Sequence, residues 1–165
     1  MTPLWQELSR GLPHADQVLR VGLRLLVALI VGMAIGLQRE LTHKPAGLRT
    51  HLLVALGTAL LVVASVNAGM ASADISRVIQ GLVTGIGFLG GGTILKLTHE
   101  HEIRGLTTAA GIWLTAAASI AAGLGQFADA IIGVVFALIV LSAIGRLGGH
   151  AEGSDDNDPT DRHNV

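Results

Sequence analysis

The residues able to do chemistry fall into three short segments. The first is Gln38-Arg39-Glu40 followed by Lys44-Pro45-Ala46-Gly47-Leu48-Arg49-Thr50-His51, the second runs from Gly85 to Thr93, and the third is Ile103-Arg104-Gly105-Leu106-Thr107-Thr108. Arg39, Arg49 and Arg104 with Glu40 could pair internally, bind anionic lipid head groups or dock a partner, since guanidinium forks suit carboxylates and phosphates. Glu40 and Lys44 stand at the i,i+4 spacing of a helical ion pair, and Pro45 with Gly47 enforces a turn after them. His51 follows Arg49 and Thr50 and is pH-sensitive by type. Thr107 and Thr108 are placed to make helix-start hydrogen bonds, and Thr107 could equally line a cavity beneath the arginines.

Other arrangements carry less. His99 and His101 alternate with Glu100 and Glu102, so an extended loop would put both imidazoles on one side, but two histidines without a third fixed ligand make a weak metal site. A pathway for a hard divalent cation needs several oxygen ligands at membrane depth. Glu40, Asp74 and Asp129 lie at the ends of apolar stretches and do not form one site. At depth stand hydroxyls and amides, among them Thr58, Ser65, Gln80, Thr84, Thr93, Thr115 and Ser119, which read as interhelical hydrogen-bond groups. Gly85, Gly87, Gly90, Gly91 and Gly92 supply small faces for helix packing, and three consecutive glycines predict a kink or break near Gly91 whose carbonyls could line a cation path. No nucleophile stands with its base and no phosphate-binding loop occurs, so an enzyme is not expected.

The elements that must hold these segments follow from composition. Half of the 165 residues are hydrophobic, only 14% are charged, and the 22 glycines outweigh the 3% of aromatics. Mean hydropathy is +0.60. Such a chain is solvated by lipid, and its small residues suit close helix packing better than an aromatic core does. A net charge of −1 gives no reason to expect nucleic acid as a partner. With no cysteine there are no disulfides or thiolate metal sites.

Apolar stretches at about 21–37, 52–68, 78–95, 106–123 and 127–144 predict an all-α membrane protein, a bundle of about five short transmembrane helices with no sizeable soluble domain. Residues 1–20 read as a polar or interfacial leader, retained because the first apolar run passes straight into Gln38-Arg39-Glu40 rather than a small-residue cleavage site. Residues 146–165, with Glu152, Asp155, Asp156, Asp158 and Asp161, read as a disordered acidic tail. Arg39, Lys44, Arg49, Lys96, Arg104, Arg146 and Arg162 fall on one side of these spans and Arg10, Arg20, Arg24 and Arg77 on the other. The excess places the N-terminus outside and the C-terminus in the cytoplasm.

The three segments, in this order, resemble the membrane domain of the MgtC/SapB family of bacterial magnesium-homeostasis and virulence-associated proteins. The resemblance rests on Arg39-Glu40, on Ala46 to His51, on Gly87 to Gly92 and on Arg104 to Ala109, with Asp74 and Arg77 leading into the third helix. It covers roughly residues 20–145. Gln38 departs from the acidic residue common there, and Gly91 from a frequent alanine. Longer members carry a soluble domain after the fifth helix, whereas this sequence continues as a short acidic tail, so functions of that domain are not expected.

What the resemblance implies is a multi-pass protein of the bacterial inner membrane. It would act as an accessory or regulatory factor in magnesium homeostasis, in low-magnesium or acid-stress adaptation and in virulence, through a membrane-protein partner such as ATP synthase or a magnesium transporter. The alternatives are a transporter or channel for magnesium or another cation, and a structural membrane subunit. No cofactor is expected beyond magnesium as ligand or substrate. The lipid bilayer and a second copy of the chain complete the expected partners.

Overall fold

The computed structural model describes residues 15–97 and 102–148. Among the described residues five helices carry the fold: α1 (Ala15–Leu41), α2 (Leu48–Asn67), α3 (Ser72–Gly92), α4 (Leu106–Leu124) and α5 (Phe127–Gly148). Between α3 and α4, β1 (Leu95–Leu97) and β2 (Glu102–Arg104) form an antiparallel ribbon that pairs Leu95 with Arg104. Three residues per strand leave the architecture all-α.

The helix bounds differ from the apolar runs at several ends. α1 starts at Ala15 and reaches Leu41, and α3 starts at Ser72. A helix needs only its own backbone ladder to continue past the apolar residues, so it carries Arg20, Arg39, Asp74 and Arg77 as extra turns. At the end of α3, where a kink or break near Gly91 was expected, the structure has a helix end rather than a kink. The helix stays continuous through Gly90 and Gly91 and stops at Gly92, where Thr93 N–H and its hydroxyl both bond Gly90 O, at 3.0 and 2.7 Å. The run of three glycines therefore terminates the helix, as the entropic cost of glycine favours.

Three of the helix ends share one device, in which the sixth residue donates back to the first and the fifth to the second. At the end of α1, Lys44 N–H bonds Arg39 O and His43 N–H bonds Glu40 O. Gly69 and Gly125 hold the corresponding left-handed position after α2 and α4, with φ of 71° and 85°. After α1 that position falls to His43, at φ 52°, and Ala46 in the same turn is also left-handed at φ 56°. This turn spends conformational energy that glycine would save.

α1, α2 and α4 form the centre, α5 packs on α1 and α4, and α3 packs mainly on α4. The core is built of small and branched residues: Ala28, Val31 and Ile35 of α1, Ala59 of α2, Ala118 and Ala122 of α4, and Ala130 and Val134 of α5. Larger apolar side chains point outward, including Leu53 at 71%, Phe88 at 84% and Phe136 at 64% exposure. A water-solvated fold would hide these, and lipid does not require it. α1, α2 and α4 are each long and apolar enough to cross a membrane, and α5 contributes a shorter apolar stretch, Phe127–Ala143. The protein is an all-α membrane protein.

Candidate functional site

The first and third segments meet at one end of the bundle, and α1 brings them together. Arg39 sits in the last turn of α1, is only 4% exposed, and donates from Nη2 to Thr108 Oγ1 in the first turn of α4 at 2.8 Å. Its Nε has no hydrogen-bond partner, and neither does the buried Oε1 of neighbouring Gln38. Both residues line a cleft of about 1430 Å³ that opens between the α1–α2 turn, the start of α4 and the far part of α5. His43, Lys44, Arg104 and Thr107 line it too.

Glu40 faces elsewhere. Its Oε2 accepts the Leu48 N–H at 2.7 Å, so it caps α2, whose N-cap Gly47 offers no side-chain oxygen. A carboxylate on the orphan amides of a helix start is stabilising. A Cβ at Gly47 would meet that same Oε2 and oblige the Glu40 carboxylate to shift from its place on the amide. Among the described residues Glu40 makes no ion pair with Lys44; the carboxylate is committed to the backbone.

His51 lies inside the bundle, with no exposed surface, and its Nδ1 is 2.7 Å from Thr115 Oγ1 on α4. The Thr115 hydroxyl spends its single hydrogen on Gly111 O at 2.9 Å. A hydroxyl has one hydrogen to give, so the imidazole must donate from Nδ1. Nε2 is left without a hydrogen-bond partner. Gly111 packs beside the ring, where a Cβ would make ordinary van der Waals contact with His51 Cε1 at 3.6 Å.

The structure thus joins Arg39 to Thr108 and His51 to Thr115, places Arg104 and Thr107 on the Arg39 cleft, and leaves Arg49 and Thr50 exposed outside it. Thr108 serves Arg39 rather than capping α4, which starts from Gly105 in the left-handed conformation without a side-chain cap. His99 and His101 lie outside the described residues. Among the described residues no three of His, Cys, Asp and Glu come together as a metal-ligand set.

Residues 25–149 match the sequence model of the MgtC family. The chain belongs to the MgtC family. It is 42% identical over 147 residues to the protein SrpB of Synechococcus elongatus, covering 82% of this chain and 80% of that one. It is 40% identical over 132 residues to the "Putative magnesium transporter YhiD" of Escherichia coli K12, covering 76% and 60%. It is 39% identical over 116 residues to the protein MgtC of Salmonella typhimurium LT2, covering 70% and 48%. The chain therefore spans most of SrpB but only about half of MgtC. No solved structure matches it.

Within this member of the MgtC family the packing glycines are not those of the Gly85–Gly92 stretch. Added Cβ atoms at Gly85, Gly87, Gly91 and Gly92 would meet nothing within 4 Å, and only Gly90 touches a neighbour, Ala109 at 3.5 Å. The close approaches are made by Gly32, where a Cβ would come 2.7 Å from Ala55 Cβ, and by Gly36, 2.9 Å from Leu48 Cα. Gly123 is equally tight, 2.9 Å from Val62 Cβ. Gly32 and Gly36 have the spacing of a small-xxx-small helix-crossing motif and were legible as such. Sequence reasoning also missed Arg24, which donates from Nη1 to Gly123 O at 3.0 Å at the other end of α4.

Several depth hydroxyls also differ from expectation. Ser65, Thr84 and Thr93 bond carbonyls of their own helix. Thr115 makes the interhelical bond, with His51.

Proposed function

We propose that this protein is an accessory or regulatory component of magnesium homeostasis, acting on another membrane protein rather than carrying the ion itself. Its relatives make it a magnesium-related membrane protein, and the choice between regulator and transporter turns on Arg39. The guanidinium of Arg39, a residue only 4% exposed, repels a divalent cation at the junction of α1 and α4. Among the described residues the other buried polar groups in the bundle are the imidazole of His51 and hydroxyls of Thr58, Ser65, Thr108, Thr115 and Ser119, a set without the anionic oxygens that strip water from a hard cation.

The reading takes the protein as multi-pass in the bacterial inner membrane, with the Arg39 end cytoplasmic because Lys44, Arg49 and Arg104 gather there. The partners implied by the family are ATP synthase or a magnesium transporter. No catalytic step is assigned.

The rival reading, transport, is favoured by the name that YhiD carries. Magnesium flux into proteoliposomes holding only the folded, inserted protein decides between them. Flux equal to that of empty vesicles is expected, and saturable flux above it overturns the regulatory reading.

A further inference from the structure

The Arg39 cleft has the chemistry of an amphipathic anion's binding site. Its described wall carries Arg39, His43, Lys44 and Arg104 and no carboxylate. A guanidinium so far removed from water is costly unless an anion or several acceptors compensate it, and Arg39 has one acceptor, Thr108, with Nε unpartnered. Thr108 Oγ1 accepts from Arg39 and keeps its own hydrogen for a further acceptor. Gly105 starts α4 without a side-chain cap, so the first-turn amides at the cleft add the positive end of a helix dipole. Part of the lining is apolar: Leu41, Leu106 and Val140 also line the cleft, and each is more than half exposed.

We propose that the cleft binds the phosphate of an anionic phospholipid, held by Arg39, Thr108 and the first turn of α4, with Lys44 at the mouth and the upper acyl chain against Leu41, Leu106 and Val140. The shared chemistry is phosphate recognition, and the apolar wall selects a lipid over a free phosphate ion. A soluble ion has no use for three aliphatic side chains at its rim; a lipid molecule has to bury its chain somewhere. The site does not rest on the regulatory reading, because its readout is lipid retention rather than ion flux.

The test is native mass spectrometry of the full chain released from detergent containing equal amounts of phosphatidylglycerol and phosphatidylcholine. The wild-type protein retains phosphatidylglycerol preferentially. Arg39→Gln loses that preference by about tenfold or more, and Lys44→Gln, a change at an exposed turn residue that leaves the bundle intact, weakens it about fivefold, the effect of one basic side chain near an anionic surface. Adding millimolar inorganic phosphate leaves the bound lipid in place. Equal retention of the two lipids, or wild-type preference in the Lys44→Gln protein, overturns the site. Displacement of phosphatidylglycerol by inorganic phosphate overturns its assignment to a lipid and assigns it to the free ion. Because ion flux is measured separately, failure here leaves the regulatory reading standing, and flux through the wild-type protein leaves this site standing.

Discussion

Arg39 and Thr108 are joined by a 2.8 Å hydrogen bond across 69 positions of sequence, in a place where almost no water reaches either residue. The bond brings the turn after α1 to the start of α4, and so assembles the cleft. Removing the acceptor alone leaves a buried charge without its side-chain acceptor in the protein. Thr108→Val should therefore cost about 1.5–3 kcal/mol, the range for a hydrogen bond to a charged group, and Thr108→Ser much less. The double variant Arg39→Leu with Thr108→Val should lose less than the two single changes together, because the stranded charge is gone. Thermal unfolding in detergent micelles reads all four proteins.

His51 and Thr115 give a prediction about a single hydrogen. Since the Thr115 hydroxyl is committed to Gly111 O, the imidazole hydrogen must sit on Nδ1. Nitrogen-15 chemical shifts of His51 should report the Nδ1–H tautomer, which is the less common one for a free imidazole. In Thr115→Val that preference should vanish. A Nε2–H tautomer in the wild-type protein would mean that the Thr115 hydroxyl has turned away from Gly111.

The glycines divide into two classes whose substitutions should go in opposite directions. Gly32→Val and Gly36→Val insert a branched side chain where even a Cβ would come within 3 Å of α2, and should cost at least the 1–3 kcal/mol typical of overpacking. Gly81→Ala and Gly85→Ala on α3 meet open space and should stabilise the helix by up to about 1 kcal/mol. Melting temperatures of the four variants separate the classes. An assay for self-association adds to this, since α3 alanines that stabilise the helix yet abolish a dimer would show that its glycine face packs against a second copy.

The fold class was legible because lipid imposes simple rules on composition and run length, and the five helices follow the five apolar stretches. The candidate site was legible in its residue types and only partly in its arrangement. Arg39, Arg104, Thr107 and Thr108 were singled out together and do share one cleft, because α1 and α4 are antiparallel neighbours. Glu40 was read as an ion-pair partner on the surface. Helical spacing permits that pair, but the turn at Gly47 brings a bare helix start within reach, and a backbone amide with no other acceptor wins the carboxylate. His51 was read beside Arg49 as a pH-sensitive group; the two-residue step between them, about 200° around the helix, sends one out and the other into the core. The glycine-rich α3 drew attention by number, whereas the glycines that allow close crossing are those facing a neighbour, and facing is a property of the assembled bundle.

Glu40 as a cap is testable on its own. Glu40→Ala should destabilise by about 0.5–2 kcal/mol, as loss of an N-cap does. Glu40→Gln keeps an acceptor and gives up the charge at the helix start, so its cost should fall to about 0.3–1 kcal/mol. Denaturant midpoints in micelles should rank wild type, Gln, Ala in that order. Equal losses for Gln and Ala would show that the charge, not the Leu48 hydrogen bond, is what matters.

The last prediction concerns register. Arg24 and Arg39 are fifteen residues apart on α1, and their acceptors, Gly123 and Thr108, are fifteen apart on α4. Two antiparallel helices of equal rise bring such pairs into contact at both ends at once, about 22 Å apart at 1.5 Å per residue. Arg24 also lies against the left-handed Gly125, so it closes the carbonyl end of α4 as Arg39 meets the amide end. Arg24→Met should cost about 0.3–2 kcal/mol, the range for a cation at a helix C-terminus. Sites this far apart with no shared partner lose stability additively, within about 0.5 kcal/mol. The double variant Arg24→Met with Arg39→Met should therefore lose the sum of its parts. A loss well below that sum would mean that freeing one end already lets α1 slide along α4, so that the second arginine has nothing left to hold.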